Sequence, residues 1–337
     1  MRRFLTALVL VLAIYLIYSR FAEAQQVAQT LQQGHFLWLG LAVLTQLAWL
    51  VNVAVNYRFV YRLLGMDISL GQLLPLVASS NFVNVAAPSA GVGGVAIFIA
   101  DARRRGLSPA RVTVAGALFL LFDYFGFLCI LALGLVVLLR RNRLDAGSLT
   151  AAAVLLLLAL GLASLLALGA RSSQALSRVL VRGARFINRL VFPFLRRNYL
   201  SEARAMSFAG EVAEGLSALR THWRAYLTPA ALAVFSKVLL IGVLFFTFLA
   251  FQQPFSGGTL IAGFSISYLF LIVSPTPGGL GFVEGVMPLT LMALRVPRAS
   301  AVLITVAYRG LTFWLPFGYG FIAFRFWHPR GNANRRD

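Results

Sequence analysis

Four ionisable side chains lie deep inside apolar stretches of this sequence: the acids Asp123 and Glu284 and the bases Lys237 and Arg309. A charge at the centre of a membrane helix costs about 2.5–3.5 kcal/mol on insertion scales, so such groups pair or serve a function. We expect Glu284 to pair with Arg309, because the two flank one helix break, and Asp123 to pair with Lys237, because their apparent depths are similar. The planar guanidinium of Arg309 suits a phosphate, whereas Glu284 would pair with it or carry a coupling proton.

The segment that precedes Glu284 is rich in helix-breaking residues. It reads SPTPGGLGFVEG from Ser274 to Gly285, between two apolar runs. Backbone freed by a break must be covered by protein or line a wet cavity, and half-helix N-termini attract anions. The alternative is a packing kink, since Gly and Pro are common in membrane helices. The substrate-binding candidates in this segment are Pro277, Gly278, Gly279, Gly281 and Glu284.

A second break has a similar pattern. The stretch PSAGVGG from Pro88 to Gly94 is followed by a short apolar run and a basic turn, as is the break at Pro277. Pro109 and Pro297 lie 21 and 20 residues after Pro88 and Pro277. We interpret residues 20–139, with a break at 86–94, and residues 227–324, with a break at 275–285, as an internal repeat. The corresponding candidates in the first break are Pro88, Gly91, Gly93 and Gly94.

Composition predicts the class of protein that must position these residues. The chain of 337 residues is 60% hydrophobic and only 12% charged, which is typical of an integral membrane protein. We predict an all-α polytopic membrane protein, one domain over residues 1–337, with about six full spans and two re-entrant broken elements arranged as an inverted repeat. An alternative has about eight spans. The predicted full spans are 4–19, 35–56, 111–139, 148–170, 227–251 and 299–324.

The distribution of charge predicts the orientation. The net charge is +20, and every basic residue except Lys237 is an arginine, mostly in short loops beside apolar runs. This favours the positive-inside rule and anionic lipid headgroups over nucleic acid as the explanation. The C-terminus is then cytoplasmic, and residues 171–224 form a basic amphipathic segment on the cytoplasmic leaflet. The N-terminal segment fits either a cleaved signal or a retained helix, and Arg20 favours retention.

The sequence contains no recognisable catalytic motif. Its three histidines are scattered, and neither a metalloprotease, a serine-hydrolase nor a P-loop pattern occurs. The single cysteine, Cys129, excludes an internal disulfide and a cysteine-based metal site. We therefore expect no enzymatic activity, no metal and no cofactor.

The second break and the span after it resemble a known family. PTPGGLGFVEG followed by AVLITVAYRGLTFWLPFGYG is similar to the lysylphosphatidylglycerol synthase transmembrane region, or flippase-like domain, family. Its Pro-Gly-Gly-x-Gly-x-x-Glu motif and later Tyr-Arg fall on Pro277, Gly278, Gly279, Gly281, Glu284, Tyr308 and Arg309. The first half departs from the family pattern at Val95-Ala96 and at Phe122-Asp123-Tyr124.

The resemblance implies handling or translocation of an amphipathic, phosphate-bearing lipid in the bacterial plasma membrane. The best-known members join this region to a cytosolic aminoacyl-transferring domain. This chain ends shortly after its last predicted span, so we expect no aminoacylation. Two alternatives are a non-transporting partner of a lipid-modifying enzyme or glycosyltransferase, and an ion-coupled carrier of a small anion.

Overall fold

The structure is a computed structural model that describes residues 25–86, 92–143, 146–172, 223–274 and 276–326, with 174–175, 177–179, 181–182 and 185. Throughout these residues the regular structure is helical. Residues 25–32 are helical and precede the longer helices. The ten longer helices are α1 (Phe36–Leu63), α2 (Leu70–Ala86), α3 (Val92–Arg104), α4 (Pro109–Arg140), α5 (Ala146–Arg171), α6 (Leu227–Ala250), α7 (Gly257–Val273), α8 (Phe282–Ala293), α9 (Arg298–Arg309) and α10 (Leu315–Phe326).

Within the described residues, five helical stretches are long and apolar enough to cross a bilayer, and each coincides with a predicted span. They are Phe36–Leu63, Pro109–Arg140, Ala146–Leu168, Arg224–Ala250 and Arg298–Phe326. The last one joins α9 and α10 through a π-helical turn, Gly310–Trp314. The prediction of an all-α, multi-pass membrane protein is therefore confirmed. The sixth predicted span, 4–19, lies outside the described residues.

The helix starts follow local sequence signals. Ser108 caps α4, where its hydroxyl accepts from the Arg111 amide, and Pro109 occupies the first turn, which needs no amide donor. Ser256 caps α7 in the same way by accepting from the Thr259 amide at 3.2 Å. The side chain of Arg141 donates to the Ser256 hydroxyl at 2.9 Å, so the end of α4 and the start of α7 lie at one end of the bundle.

The shorter helices of the bundle form two hairpins. Helix α2 packs against α3, and helix α7 packs against α8. The two hairpins begin at opposite ends of the bundle. The amide of His35, just before α1, donates to the carbonyl of Ala250 at the end of α6, so the start of α1 and the end of α6 lie at one end. Helix α7 follows the end of α6 and begins there, whereas α2 follows the end of α1 and begins at the other end. Both breaks end earlier than the predicted bounds of 86–94 and 275–285, because α3 already begins at Val92 and α8 at Phe282.

Each hairpin packs against a membrane-spanning stretch of the other half of the molecule. Helix α2 lies on α10, and α7 lies on α4. Glycines allow both approaches: a Cβ at Gly320 would meet the Ala78 carbonyl at 2.6 Å, and one at Gly134 would meet the Ser265 hydroxyl at 2.5 Å. The two halves are therefore interlocked and do not pack as two separate units.

Helices α1 and α6 form the central contact of the bundle. The Asn52 amide donates to the Leu232 carbonyl at 2.9 Å, and the Asn56 amide donates to the Pro229 carbonyl at 3.3 Å. These bonds join the first long helix of each half. They also give the two polar side chains, which lie in an apolar span, a structural role in helix packing.

The bundle has an arginine-rich end and an opposite end. Among the described residues, the opposite end carries five arginines: Arg140, Arg141, Arg143, Arg295 and Arg298. The arginine-rich end carries at least eight: Arg58, Arg62, Arg103, Arg104, Arg105, Arg111, Arg224 and Arg325. Most of the predicted amphipathic segment, 171–224, lies outside the described residues. In its described part, Arg178, Arg182 and Arg185 are exposed.

Candidate functional site

The second break is a turn that only glycines fit comfortably. Gly278, Gly279 and Gly281 have φ angles of 62°, 69° and 78°, in the left-handed region where a side chain is strained. Gly278 also touches the ring of Phe313, because a Cβ there would come within 2.5 Å of that ring. The Thr276 hydroxyl donates to the Leu280 carbonyl at 2.8 Å and closes the turn. The PGGLG sequence therefore shapes the backbone beside Arg309.

Arg309 is held by three groups of the break region. Its Nε donates to Oε1 of Glu284 at 2.5 Å, and its Nη2 donates to the Gly278 carbonyl at 3.0 Å. Its guanidinium carbon lies 4.3 Å from the centre of the Phe313 ring, which is a cation–π contact. The expected pairing of Glu284 with Arg309 is therefore present in the structure.

Glu284 has a second role that the sequence did not suggest. It lies in the first turn of α8, where its Oε2 accepts from the Gly281 amide at 2.7 Å. A carboxylate at this position caps the helix and interacts favourably with the helix dipole. The positive end of this half-helix, expected to face a ligand, is occupied by the protein's own anion. A ligand anion would have to replace Glu284 there.

The second expected pair, Asp123 with Lys237, is also present and has a third member. The Lys237 ammonium donates to Oδ1 of Asp123 at 2.6 Å and to the Tyr268 hydroxyl at 2.8 Å. Lys237 is 1% exposed. The side chains come from α6, α4 and α7, so this cluster connects both halves of the molecule.

Two adjoining cavities bring the pairs into one region. The smaller, of about 240 Å³, is lined by Arg309 and Tyr308. The larger, of about 460 Å³, is lined by Asp123 and Tyr124. Trp49, Asn81 and Tyr268 belong to both walls and form the junction between the cavities. Each cavity thus has one member of an ion pair in its wall, and the junction is polar.

The first break is described only at its edges. Pro88 and Gly91 lie outside the described residues, whereas Gly93 and Gly94 lie in the first turn of α3. The Gly94 amide donates to Oδ1 of Asn84 at 2.7 Å, and a Cβ at Gly94 would collide with Asn84. Asn84 also lines the larger cavity. At this half-helix, a neutral amide takes the place that the Glu284 carboxylate takes at α8.

Sequence reasoning missed the neutral polar residues of this region. Only ionisable groups were weighed as intramembrane candidates, yet both cavities are lined with amides and aromatic polar groups. A search for amide side chains within apolar spans would have found them. The missed residues are Gln46, Trp49, Asn81, Asn84 and Tyr268.

A comparison with protein families matches residues 4–320 to the lysylphosphatidylglycerol synthase transmembrane region. The chain belongs to this family. The matched range contains both breaks, both ion pairs and the first half of α10. Membership makes the protein a multi-pass membrane protein related to lipid handling. A search of curated proteins found no match.

Within this family assignment, the motif residues form one contiguous site. Arg309 donates directly to both Glu284 and the Gly278 carbonyl. Tyr308 is buried beside Arg309 and lines the same cavity. Gly279 and Gly281 shape the turn, and Pro277 begins it. The Tyr-Arg and Pro-Gly-Gly-x-Gly-x-x-Glu motifs of lysylphosphatidylglycerol synthase transmembrane regions thus meet at the smaller cavity.

Proposed function

We propose that this protein moves a phosphate-bearing membrane lipid between the two leaflets of the bacterial plasma membrane, without changing it chemically. The observation that carries the proposal is the place of Arg309, which is 4% exposed and lies in the wall of a cavity within a membrane bundle. A buried guanidinium is costly there unless it is paired, and it presents the donor geometry that phosphate requires. Family membership agrees with lipid handling.

The contacts of Glu284 suggest how a headgroup would be received. This carboxylate holds two donors, the Arg309 Nε and the Gly281 amide. A phosphate has oxygens for both donors and could replace the carboxylate without leaving either unpaired. Glu284 is 26% exposed at its side chain, so it can move away from a less exposed Arg309. Exchange of one anion for another is the proposed binding step.

The lipid tails would remain in the bilayer beside α2 and α10. An aromatic cluster lies between these helices, where Phe82 is within 5.6 Å, centre to centre, of Phe317, Phe321 and Phe324. Phe321 is 47% exposed and Phe324 is 38% exposed, so the cluster faces the hydrocarbon region. Phe317, Phe321 and Phe324 belong to the same continuous span as Arg309, which gives a lipid an apolar surface leading toward the guanidinium.

The test is lipid movement in liposomes that contain the purified protein and a trace of fluorescent phospholipid. A membrane-impermeant quencher reports the fraction that changes leaflet. We expect Arg309→Gln to lower the rate at least about tenfold, since a hydrogen bond to a charged group contributes about 1.5–3 kcal/mol. Arg298→Gln is the matched control, because Arg298 is exposed at the start of α9 and far along the helix from the cavity.

A double variant separates the loss of binding from the loss of folding. Arg309→Gln with Glu284→Gln removes both charges, so no unpaired ion remains in the bundle. It should fold as well as the wild type and still fail to move lipid. Wild-type liposomes that move no lipid would contradict the proposal and favour a non-transporting partner. Uptake of free phosphate without lipid movement would favour a small-anion carrier.

A further inference from the structure

At and beside the junction between the two cavities lie buried polar atoms that form no hydrogen bond with any described residue. Gln46, which is 0% exposed, makes no hydrogen bond to any described residue through either amide atom. The indole nitrogen of Trp49 and the amide nitrogen of Asn81 are likewise buried without a partner in the described part of the chain. The Tyr319 hydroxyl is a neighbour of Gln46, but no well-formed hydrogen bond joins them.

Such atoms are unusual in a folded protein. Leaving a buried donor or acceptor unpaired costs about 1–3 kcal/mol, and most buried polar groups are therefore paired. Gln46, Trp49 and Asn81 all line the smaller cavity, and Trp49 and Asn81 also line the larger one. The clustering points to a ligand that supplies the missing partners.

The chemistry of this cluster is neutral. Trp49 and the nitrogen of Asn81 donate, whereas Gln46 can donate and accept. Within the described residues, the acids near the cavities are already engaged: Asp123 with Lys237, and Glu284 with Arg309. An ammonium headgroup would find no free carboxylate among them. Hydroxyl groups, which both donate and accept, match the cluster.

On the basis of the proposed function, we infer that Gln46, Trp49 and Asn81 bind the hydroxylated, uncharged part of a lipid headgroup whose phosphate is bound by Arg309. The substrate is then a phosphodiester lipid that carries a polyol, either glycerol or a sugar. The larger cavity, of about 460 Å³, lies within the range of about 300–1,000 Å³ that small-molecule sites occupy. Its wall adds Asn84 and Ser80 as further neutral polar groups.

The experiment is native mass spectrometry of the purified full-length protein with defined lipids of equal chain length. Three phospholipids are compared: phosphatidylglycerol carries a polyol, phosphatidylethanolamine carries an ammonium group, and phosphatidic acid carries neither. We expect the wild type to retain phosphatidylglycerol about tenfold more than the other two. A polyprenyl phosphate, with and without one hexose, distinguishes a sugar-bearing source from a glycerol-bearing one.

The variants Asn81→Leu and Gln46→Met keep the side-chain size but remove hydrogen-bonding groups. Each should lower retention of the polyol lipid about threefold to tenfold, the worth of one hydrogen bond, and leave phosphatidic acid unchanged. Ser79→Ala is the control, since Ser79 is buried on the same helix as Asn81 but is not part of either cavity wall. Thermal midpoints of all three variants verify folding.

The outcomes separate this inference from the proposed function. Equal retention of phosphatidylethanolamine and phosphatidylglycerol by the wild type would overturn the inference, as would amide variants that lower all lipids equally. Lipid movement in liposomes without headgroup preference would leave the proposed function standing. An amide-dependent preference in a protein that moves no lipid would support the inference and refute transport.

Discussion

At the scale of single residues, the only lysine of the chain is the most informative. The Lys237 ammonium is fully buried and held by Asp123 and by Tyr268, whose ring lies 4.4 Å below it. Removing one member of a buried pair leaves an uncompensated charge, whereas removing both can be nearly neutral. The cluster of Lys237, Asp123 and Tyr268 therefore supports a specific prediction about the stability of the protein.

Lys237→Met should destabilise the protein by about 3 kcal/mol, at the lower end of the range for broken buried pairs, because Asp123 is 18% exposed at its side chain and retains some hydration. Lys237→Met combined with Asp123→Leu should recover most of that loss. The measurement is the thermal midpoint of each variant in one detergent. If the double variant were no more stable than the single one, the pairing would not explain the burial of Lys237.

Both ion pairs were predictable from the sequence because charges inside a bilayer must be neutralised, and the chain has two acids and two bases at depth. The remaining partners were not predictable. Tyr268 meets Lys237 only because α7 packs between α4 and α6, and the Glu284 contact with Gly281 depends on where α8 begins. Such contacts follow from tertiary packing and turn geometry, which composition does not record.

At the scale of helices, the close approach of α4 to α6 depends on Gly126. A Cβ at that position would lie 2.6 Å from the carbonyl carbon of Ala233, which belongs to the backbone and cannot rotate away. The approach brings the helices that carry Asp123 and Lys237 into register. A methyl group there must push the two helices apart.

Gly126→Ala should therefore destabilise the protein by about 1–3 kcal/mol, the usual cost of overpacking. Gly116→Ala is the matched control on the same helix, because a Cβ there meets nothing within 4 Å. The control should be neutral or more stable by up to about 1 kcal/mol, since alanine favours helix over glycine. Thermal unfolding of both variants makes the comparison, and equal midpoints would contradict the close contact.

Spans were easier to predict than breaks for a physical reason. A crossing helix needs about 20 apolar residues, a signal that tolerates errors of a few positions, and the five described spans match their predictions closely. A break is defined by one or two residues. Gly281 ends the turn with its positive φ, so Phe282 and Glu284 are already helical although they follow a glycine-rich sequence.

At the scale of the whole molecule, the arginine-rich end should face the cytoplasm. The positive-inside bias applies to short loops near spans, and this end carries at least eight described arginines in or beside such loops, against five at the other end. The opposite end has fewer arginines, although Arg295 and Arg298 are exposed there. Orientation thus follows from the difference between the ends.

Single cysteines test this orientation in whole cells. In a Cys129→Ser background, Ala299→Cys at the start of α9 should react with a membrane-impermeant maleimide. Ala225→Cys, at the arginine-rich end, should react only after the membrane is permeabilised. Both alanines are exposed, so accessibility of the side chain does not bias the comparison. The reverse pattern would invert the topology.

The crossed packing of the hairpins has a consequence for biosynthesis. Helix α2 carries Asn81 and Asn84 into the bilayer, but its partner α10 is the last described helix to be translated. Until α10 has been synthesised, this polar hairpin lacks its cover, so α10 must complete the assembly of the first half. A chain shortened before α10 would leave that hairpin uncovered, as a substrate for membrane quality-control proteases.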